Sequence, residues 1–151
     1  MKKSYSLIWC TLLVITLIAT GCKEKVKPVS ERIAKAWTAE IVKHGSAVVY
    51  TRGGSNNQTP AYSAFRLTLV NASGAKTVTL TEFDGSTFTG TWDLEGDTKL
   101  ILSGLTPQPT GSGGTIEFTI SSLEDSKVIL TRLKASSKTG GTINEYTLSN
   151  P

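Results

Sequence analysis

The sequence predicts an all-β protein: a small antiparallel up-and-down β-barrel of about eight strands, preceded by a signal peptide and a short helix. Apolar residues alternate with polar ones, many of them threonines, in short runs from Trp37 to Leu148, as in strands with one buried face. Clusters of Gly, Asn, Asp, Ser and Pro separate these runs at intervals of roughly 8–15 residues, which is typical of an antiparallel sandwich or barrel. No segment has a helical period long enough for the crossover helices of a parallel sheet.

These runs predict eight or nine strands. In chain order they contain residues 37–41, 47–50, 65–69, 78–80, 88–94, 100–102, 116–120, 128–130 and 146–148. A closed barrel gives each strand one inward face and removes exposed sheet edges. Ser30 is the predicted N-cap of a helix that ends near Lys35, and the polar segment 52–60 is a predicted loop.

The N-terminus has the features of a secretory signal peptide. Lys2 and Lys3 precede an apolar run at 7–19, which is shorter than the roughly 20 residues of a membrane-spanning helix. Small residues then lead to Cys22, an arrangement that resembles the bacterial lipobox, in which the cysteine is lipidated and becomes the mature N-terminus. The alternative is an ordinary signal peptide or an uncleaved anchor. We expect a signal peptide at 1–21, a lipidated tether at 22–29 and a barrel domain at 30–151.

Lipidation of Cys22 would make the bilayer a binding partner of the chain. Cys10 would leave with the signal peptide, so no disulfide framework is expected. Lys23 and Glu24 resemble the start of a surface-export signal of some Gram-negative lipoproteins, although Lys25 replaces its second acidic residue. We therefore expect a lipid anchor in the outer membrane and leave the leaflet open.

The excess of positive charge in the sequence lies outside the predicted barrel. The sequence has 16 Lys and Arg against 12 Asp and Glu, with a pI near 9.1. Residues 23–35 hold five basic and two acidic residues, whereas 36–151 hold nine basic and ten acidic ones. A nearly neutral barrel offers no basic face for phosphates, so nucleic acid is not an expected partner.

The sequence contains no convincing catalytic or metal-binding constellation. His44 is the only histidine and is interpreted as an exposed turn residue. Acidic residues cluster at Glu82 and Asp84 and again at 93–97, where hairpin turns favour them for backbone reasons. The segment 111–114 is glycine-rich but lacks the lysine and helix of a phosphate-binding loop, so it is a predicted hairpin loop. We expect no metal, no cofactor and no enzymatic activity.

Four features in a fixed order resemble the small lipocalin-like lipoproteins of Gram-negative bacteria. They are the Ala-Lys-Ala-Trp start at 34–37, the hairpin at 90–102, the Ser-Leu-x-x-x-Lys-Val-x-Leu-Thr pattern at 122–131 and the Tyr-x-Leu ending at 146–148. The resemblance covers about residues 30 to 151. Lipocalins commonly begin with Gly-x-Trp, where this chain has Lys35. The resemblance implies structural roles for Trp37 and for Arg132, a late arginine that would pack over the tryptophan.

The aromatic residues of the strands face the predicted interior. They could line a pocket for an apolar ligand or simply fill the core, and an eight-stranded barrel has room for little more than side chains. The candidate ligand-binding residues are Tyr50, Tyr62, Phe65, Phe88, Trp92 and Phe118, with Tyr50, Tyr62 and the loop 52–60 at the expected mouth.

The functional hypothesis is a monomeric, membrane-anchored lipoprotein that binds or carries a small apolar ligand without catalysis. The alternative is a cell-envelope interaction module with a filled core, which contacts a protein or glycan through its loops, for example as an inhibitor. An envelope hydrolase is a third hypothesis, which no group of residues supports.

Overall fold

The computed structural model describes residues 26–150 of the chain. The predicted signal peptide and Cys22 lie outside the described residues. No helix within residues 26–150 is long and apolar enough to cross a membrane.

The described chain consists of one short helix, nine strands and two 3₁₀ helices. The helix α1 is Val29–Arg32. The strands are β1 (Ala36–His44), β2 (Ala47–Thr51), β3 (Arg66–Ala72), β4 (Ala75–Thr81), β5 (Thr87–Glu95), β6 (Lys99–Thr106), β7 (Ile116–Leu123), β8 (Lys127–Arg132) and β9 (Asn144–Ser149). The 3₁₀ helices are η1 (Pro60–Ala64) and η2 (Ser137–Thr139).

The nine strands form one antiparallel sheet that closes on itself. Consecutive strands from β3 to β9 pair with each other, and β9 pairs back to β1, for example at Ala39 with Leu148 and at His44 with Asn144. The ring therefore contains β1 and β3 to β9, which is a closed eight-stranded up-and-down barrel. The predicted fold class is confirmed.

The barrel position next to β1 is divided between two strands. Strand β2 pairs with β1 along 41–44, and β3 pairs with β1 along 36–38. Both use the same edge of β1, because β9 occupies the other edge. The segment 52–65 interrupts this position and contains η1. A single strand would place alternate side chains inside, whereas the interruption directs the Tyr62 side chain of η1 into the barrel, where it is fully buried.

One end of the barrel is closed by α1. The Trp37 indole Nε1 donates to the Ile33 carbonyl at 2.8 Å, and the Arg32 guanidinium donates to the Leu123 carbonyl at 2.5 Å. Both Trp37 and Ile33 are fully buried. The predicted helix was placed slightly too late, because Pro28 occupies the N-cap position and Ser30 lies within the helix without capping it.

Arg132 does not pack over Trp37, so this expectation from the resemblance is wrong. The pairing of β8 with β9 and of β9 with β1 places Arg132 level with His44, at the opposite end of β1 from Trp37. The cation next to the Trp37 ring is the Lys35 ammonium, 5.8 Å from its centroid. Arg132 instead approaches the Glu82 carboxylate.

Candidate functional site

The two ends of the barrel differ in their connections. At the end with α1, here called the helix end, strands are joined by the tight turns 73–74, 96–98 and 124–126. At the other end, here called the loop end, the long connections 107–115 and 133–143 meet η1 and the turn 82–86. Long connections on a rigid scaffold are where binding residues concentrate, so the loop end is the candidate functional site.

Polar residues continue the inward alternation of the strands at the loop end. Glu82 follows Val78 and Leu80 on the inward face, and Arg132 follows Leu130 at the end of β8. Asn144 begins β9 and is also fully buried. An inward charge is costly unless it is paired, so the partners of these groups decide what the site can do.

The ammonium of Lys138, carried by η2, is the main partner of the acidic groups. Its Nζ lies 2.7 Å from Glu82 Oε2 and 2.7 Å from Asp84 Oδ2, and 5.1 Å from the centroid of the Phe88 ring. Burial alone would lower the pKa of Lys138, but the hydrogen bonds to Asp84 and Glu82 outweigh it and raise the pKa above its usual value. The same contact holds the pKa of Asp84 below its usual range. Lys138 therefore fastens the loop 133–143 to the turn 82–86.

Tyr62 is the centre of an aromatic cluster inside the loop end. Its ring centroid lies 4.7 Å from that of Phe83, 6.2 Å from Tyr50 and 6.3 Å from Tyr146. The Tyr146 ring in turn stacks on Phe65 at 5.0 Å. Burial raises the pKa of Tyr62 far above its usual value, so its hydroxyl stays protonated.

That hydroxyl lies 2.7 Å from Nε2 of His44. Burial lowers the pKa of His44, which favours its neutral form, and the tautomer of that form decides whether Nε2 donates or accepts. The interpretation of His44 as an exposed turn residue is therefore wrong: it is the last residue of β1, partly buried against Tyr62.

Asn144 connects the loop 133–143 to the interior. Its Nδ2 donates to the Tyr146 hydroxyl at 3.2 Å, and its Oδ1 accepts from Thr142 at 2.8 Å and from Thr139 at 3.1 Å. Burial raises the pKa of the Tyr146 hydroxyl, so this group also remains neutral. The network satisfies the polar groups of Asn144 and orders the loop over the barrel end.

All six candidate ligand-binding residues are buried: Tyr50, Tyr62, Phe65, Phe88, Trp92 and Phe118 have exposures of 5% or less. Tyr50 and Tyr62 do not form a mouth, because η1 brings Tyr62 inside, where it packs with Tyr50. Trp92 lies apart from the other aromatic rings at the helix end, where its Nε1 donates to the Val70 carbonyl at 2.9 Å. The structure thus brings Tyr50, Tyr62 and Phe65 together around Tyr146, and Phe118 joins them at 6.1 Å from Tyr146.

The sequence analysis missed Glu82, Lys138 and Asn144. Glu82 was assigned to an exposed turn, although the alternation through Val78 and Leu80 indicates that its side chain points inward. No local pattern links Lys138 to Asp84, since 54 residues separate them. Within residues 26–150, no cluster of three or more His, Cys, Asp or Glu side chains is arranged to hold a metal ion.

Comparisons with known proteins leave the function open. No protein-family model and no curated protein matches the sequence. Among solved structures, the fold is similar to a lipocalin-like protein from Bacteroides uniformis, with a TM-score of 0.49 and 14% identity, covering 80% of this chain and 99% of that chain. The fold assignment depends on the topology of the barrel itself.

Substitution of Lys138 tests the charge cluster. Lys138→Met would leave the buried Glu82 carboxylate with only the Arg132 guanidinium, 3.7 Å away, so we expect the free energy of unfolding to fall by about 3 kcal/mol in urea titrations. The control is Lys99→Met, because Lys99 pairs with Glu95 and Glu117 on the outer surface, where solvent screening makes the loss of such a pair much less costly. Equal losses for the two variants would contradict the importance of the cluster.

The stability of the protein should depend on pH through His44. Its folded-state pKa is lowered from 6.5, so the unfolded chain binds more protons as the pH falls through this value. The free energy of unfolding should therefore decrease as the pH falls below about 6.5 and level off below the lowered pKa.

Urea titrations between pH 7.5 and 5 measure this effect. Since the chain has no other histidine, His44→Gln should remove most of the pH dependence in this range. Asp84 and Glu117, whose pKa values are lowered from 3.8 and 4.5, lose their stabilising contribution only at lower pH. An unchanged slope in His44→Gln would show that His44 does not carry the effect.

Proposed function

We propose that this protein is a lipid-anchored, non-catalytic binding module of the cell envelope, and that it contacts its partner with the loop end of the barrel. The observation that carries the proposal is the asymmetry of the barrel: tight turns at the helix end, and the long segments 107–115 and 133–143 with η1 at the loop end. This is the interaction-module alternative from the sequence.

The proposed lipid anchor would orient the barrel relative to the membrane. Six residues separate Cys22 from Val29, so a lipidated Cys22 would hold the helix end within about 25 Å of the bilayer. The nine-residue β1 extends roughly 30 Å from that end. The loop end would then face away from the membrane, where a partner can reach it.

Exposed apolar side chains support the same end as the contact surface. Of the five large apolar residues that are exposed within residues 26–150, Val48, Leu133 and Ile143 lie at or near the loop end, with exposures of 49%, 46% and 40%. Apolar side chains that a partner covers lose their contact with water, which favours association. The charged residues nearby add little net charge to the loop end, because Glu82 and Asp84 are paired with Lys138.

The groups that could perform acid–base chemistry at the loop end are occupied by structural contacts. His44 is hydrogen-bonded to the Tyr62 hydroxyl, and Glu82 faces Lys138. Neither pair leaves a base next to an activated nucleophile. This supports a binding role over the hydrolase hypothesis.

A small apolar ligand inside the barrel is the second candidate function. One observation favours it: Tyr62, which fills the loop end, belongs to η1 in an interrupted strand position and not to a paired strand. Withdrawal of η1 would remove Tyr62 from the aromatic cluster without breaking a pairing of the barrel.

Site-specific photo-crosslinking tests the proposed contact surface. A benzophenone side chain at Gln108 or Ile143 of the full-length protein, expressed in its host membrane, should give defined adducts, because both positions are exposed at the loop end. The matched controls are Asp97 and Glu124, exposed at the helix end. Adducts from the control positions alone, or equal adducts from both sets, would contradict the proposal.

A Cys22→Ala variant tests the lipid anchor separately. If this variant still fractionates with membranes, the lipid anchor is contradicted.

Binding of a lipophilic dye tests the second candidate. If the barrel admits an apolar ligand when η1 withdraws, Tyr62→Ala should increase dye fluorescence several-fold over the unsubstituted protein, since it leaves a cavity at the centre of the aromatic cluster. Trp92→Phe, at the opposite end of the barrel, serves as the control for altered packing. Absence of dye binding in all three proteins, together with absence of co-purified lipid by mass spectrometry, would exclude the apolar-carrier function.

A further inference from the structure

The barrel wall next to β1 has a break where the pairing with β3 stops. The last pair of this ladder is Arg66 with Thr38, and the next pair in the same register would be Phe65 with Ala39. That pair does not form, because the Phe65 N–H donates to the Tyr62 carbonyl of η1. The backbone at the break therefore needs side chains to replace the missing ladder bonds.

The side chain of Arg52, which follows the last residue of β2, occupies one side of the break. Its Nε and Nη2 donate to the Ala39 carbonyl at 3.0 and 2.7 Å, and Nη2 also donates to Thr38 Oγ1. Thr38 Oγ1 in turn donates to the Ser149 carbonyl at 3.2 Å. These bonds hold the guanidinium by its Nε–Nη2 edge, and its Nη1 makes no hydrogen bond to residues 26–150.

The side chain of Arg66 occupies the other side of the break. Its Nη1 donates to the carbonyls of Phe65 at 2.7 Å and Ser63 at 2.8 Å, whereas Nε and Nη2 have no partner in the described part of the chain. Thr38, which holds Arg52, lies directly opposite Arg66, and opposed side chains are about 5 Å apart. The two guanidinium groups are therefore neighbours on the outer face of the barrel, where both residues are exposed.

This arginine pair carries a surplus of positive charge. Among residues 26–150, neither guanidinium has a carboxylate within 4.0 Å. Glu40 lies opposite Arg52 in the continued register of β1 and β2, but its carboxylate pairs with Lys127 at 3.9 Å. On the other side, the same row of outward residues continues with the uncharged Thr81 and Thr87. Even with Lys127 and Glu40 included, the patch keeps two positive charges, which repel each other until an anion binds.

We propose that the arginine pair binds a phosphate group carried by the partner of the loop end. This inference depends on the proposed function, because it names the chemistry of that partner. A phosphate ester carries close to two negative charges at neutral pH and three acceptor oxygens, which matches the surplus of the patch. The Nε–Nη2 edge of Arg66 can donate two parallel hydrogen bonds to it, and Nη1 of Arg52 can donate to a third oxygen.

The location of the pair explains why the phosphate belongs to a larger partner. Both guanidinium groups are exposed, so water competes for their donors and a small phosphate ester binds weakly. Arg52 begins the segment 52–65, which contains η1 of the loop end. A partner that covers the loop end brings its phosphate to the arginine pair at a high effective concentration.

The first test is a titration of the full-length protein in detergent micelles with glycerol phosphate, at about pH 6.5 and constant ionic strength, where a phosphate ester is mostly doubly charged. Nitrogen–proton correlation spectra report the arginine Nε–H groups and the backbone amides around the break. The chain has four arginines, and the Arg66 Nε–H signal should shift downfield and saturate. The signals of Arg32 and of the buried Arg132 should not move.

Three variants separate a specific site from general attraction to cations. Arg66→Gln should weaken the binding of glycerol phosphate roughly tenfold, and Arg66→Lys, which keeps the charge but loses the two-donor edge, roughly threefold. The matched control is Lys134→Gln, which removes another exposed cation without a carboxylate within 4.0 Å in the described chain and should leave the affinity unchanged. An unsaturable shift, acetate binding as tight as that of the ester, or equal affinities in Arg66→Gln and Lys134→Gln would overturn the phosphate site.

The second test asks whether the partner carries the phosphate. Photo-crosslinks from Gln108 should decrease several-fold in the Arg66→Gln background and after phosphatase treatment of the membranes, and they should persist with Lys134→Gln. Adducts that neither Arg66→Gln nor phosphatase changes would overturn the phosphate recognition while the proposed contact surface stands. If the loop end gives no adducts although glycerol phosphate binds in an Arg66-dependent manner, the proposed contact surface fails and the arginine pair is a site for a free phosphate ester.

Discussion

The pairing of β9 with β1 is the constraint on which the rest of the structure depends. It joins the last strand of the chain to the first, and without it both strands would present unpaired backbone groups. The closed ring gives every strand one inward face, and this face carries most of the buried core from Trp37 to Leu148. Since the two strands are far apart in sequence, closure requires the complete chain, and contacts of such long range make folding slow.

The two ends of the closed barrel have different chemistry. At the helix end, Ile33 and Trp37 of the N-terminal segment complete the apolar core. At the loop end, the inward alternation continues beyond the apolar residues and brings Glu82 and Arg132 inside. Lys138 then compensates the Glu82 carboxylate. The loop end is polar because the inward alternation extends beyond the apolar core. Its charged groups therefore lie next to the long connections, where a ligand can bind.

Strand alternation was sufficient to predict an antiparallel sandwich or barrel, because a half-buried strand leaves a local pattern in the sequence. The inward positions of Phe88, Phe118 and Tyr146 follow directly from that pattern. Tyr62 was misplaced because η1 interrupts a strand position, and a short 3₁₀ helix has no periodicity that predicts its inward side chain. The partners of Glu82 were not predictable either, since tertiary contact alone brings Lys138 to it.

The divided strand position next to β1 has a consequence for how this chain can vary. Arg52 is still bonded to β1, since its N–H donates to the Glu40 carbonyl and its guanidinium to the Ala39 carbonyl, whereas residues 53–56 make no hydrogen bond to β1 and are exposed. The entropic cost of a flexible loop rises by only about 0.6 kcal/mol when its length doubles. Extra residues, or an inserted epitope or reporter domain, can therefore enter here while β9 holds the opposite edge of β1, and related chains should differ most in length at this point.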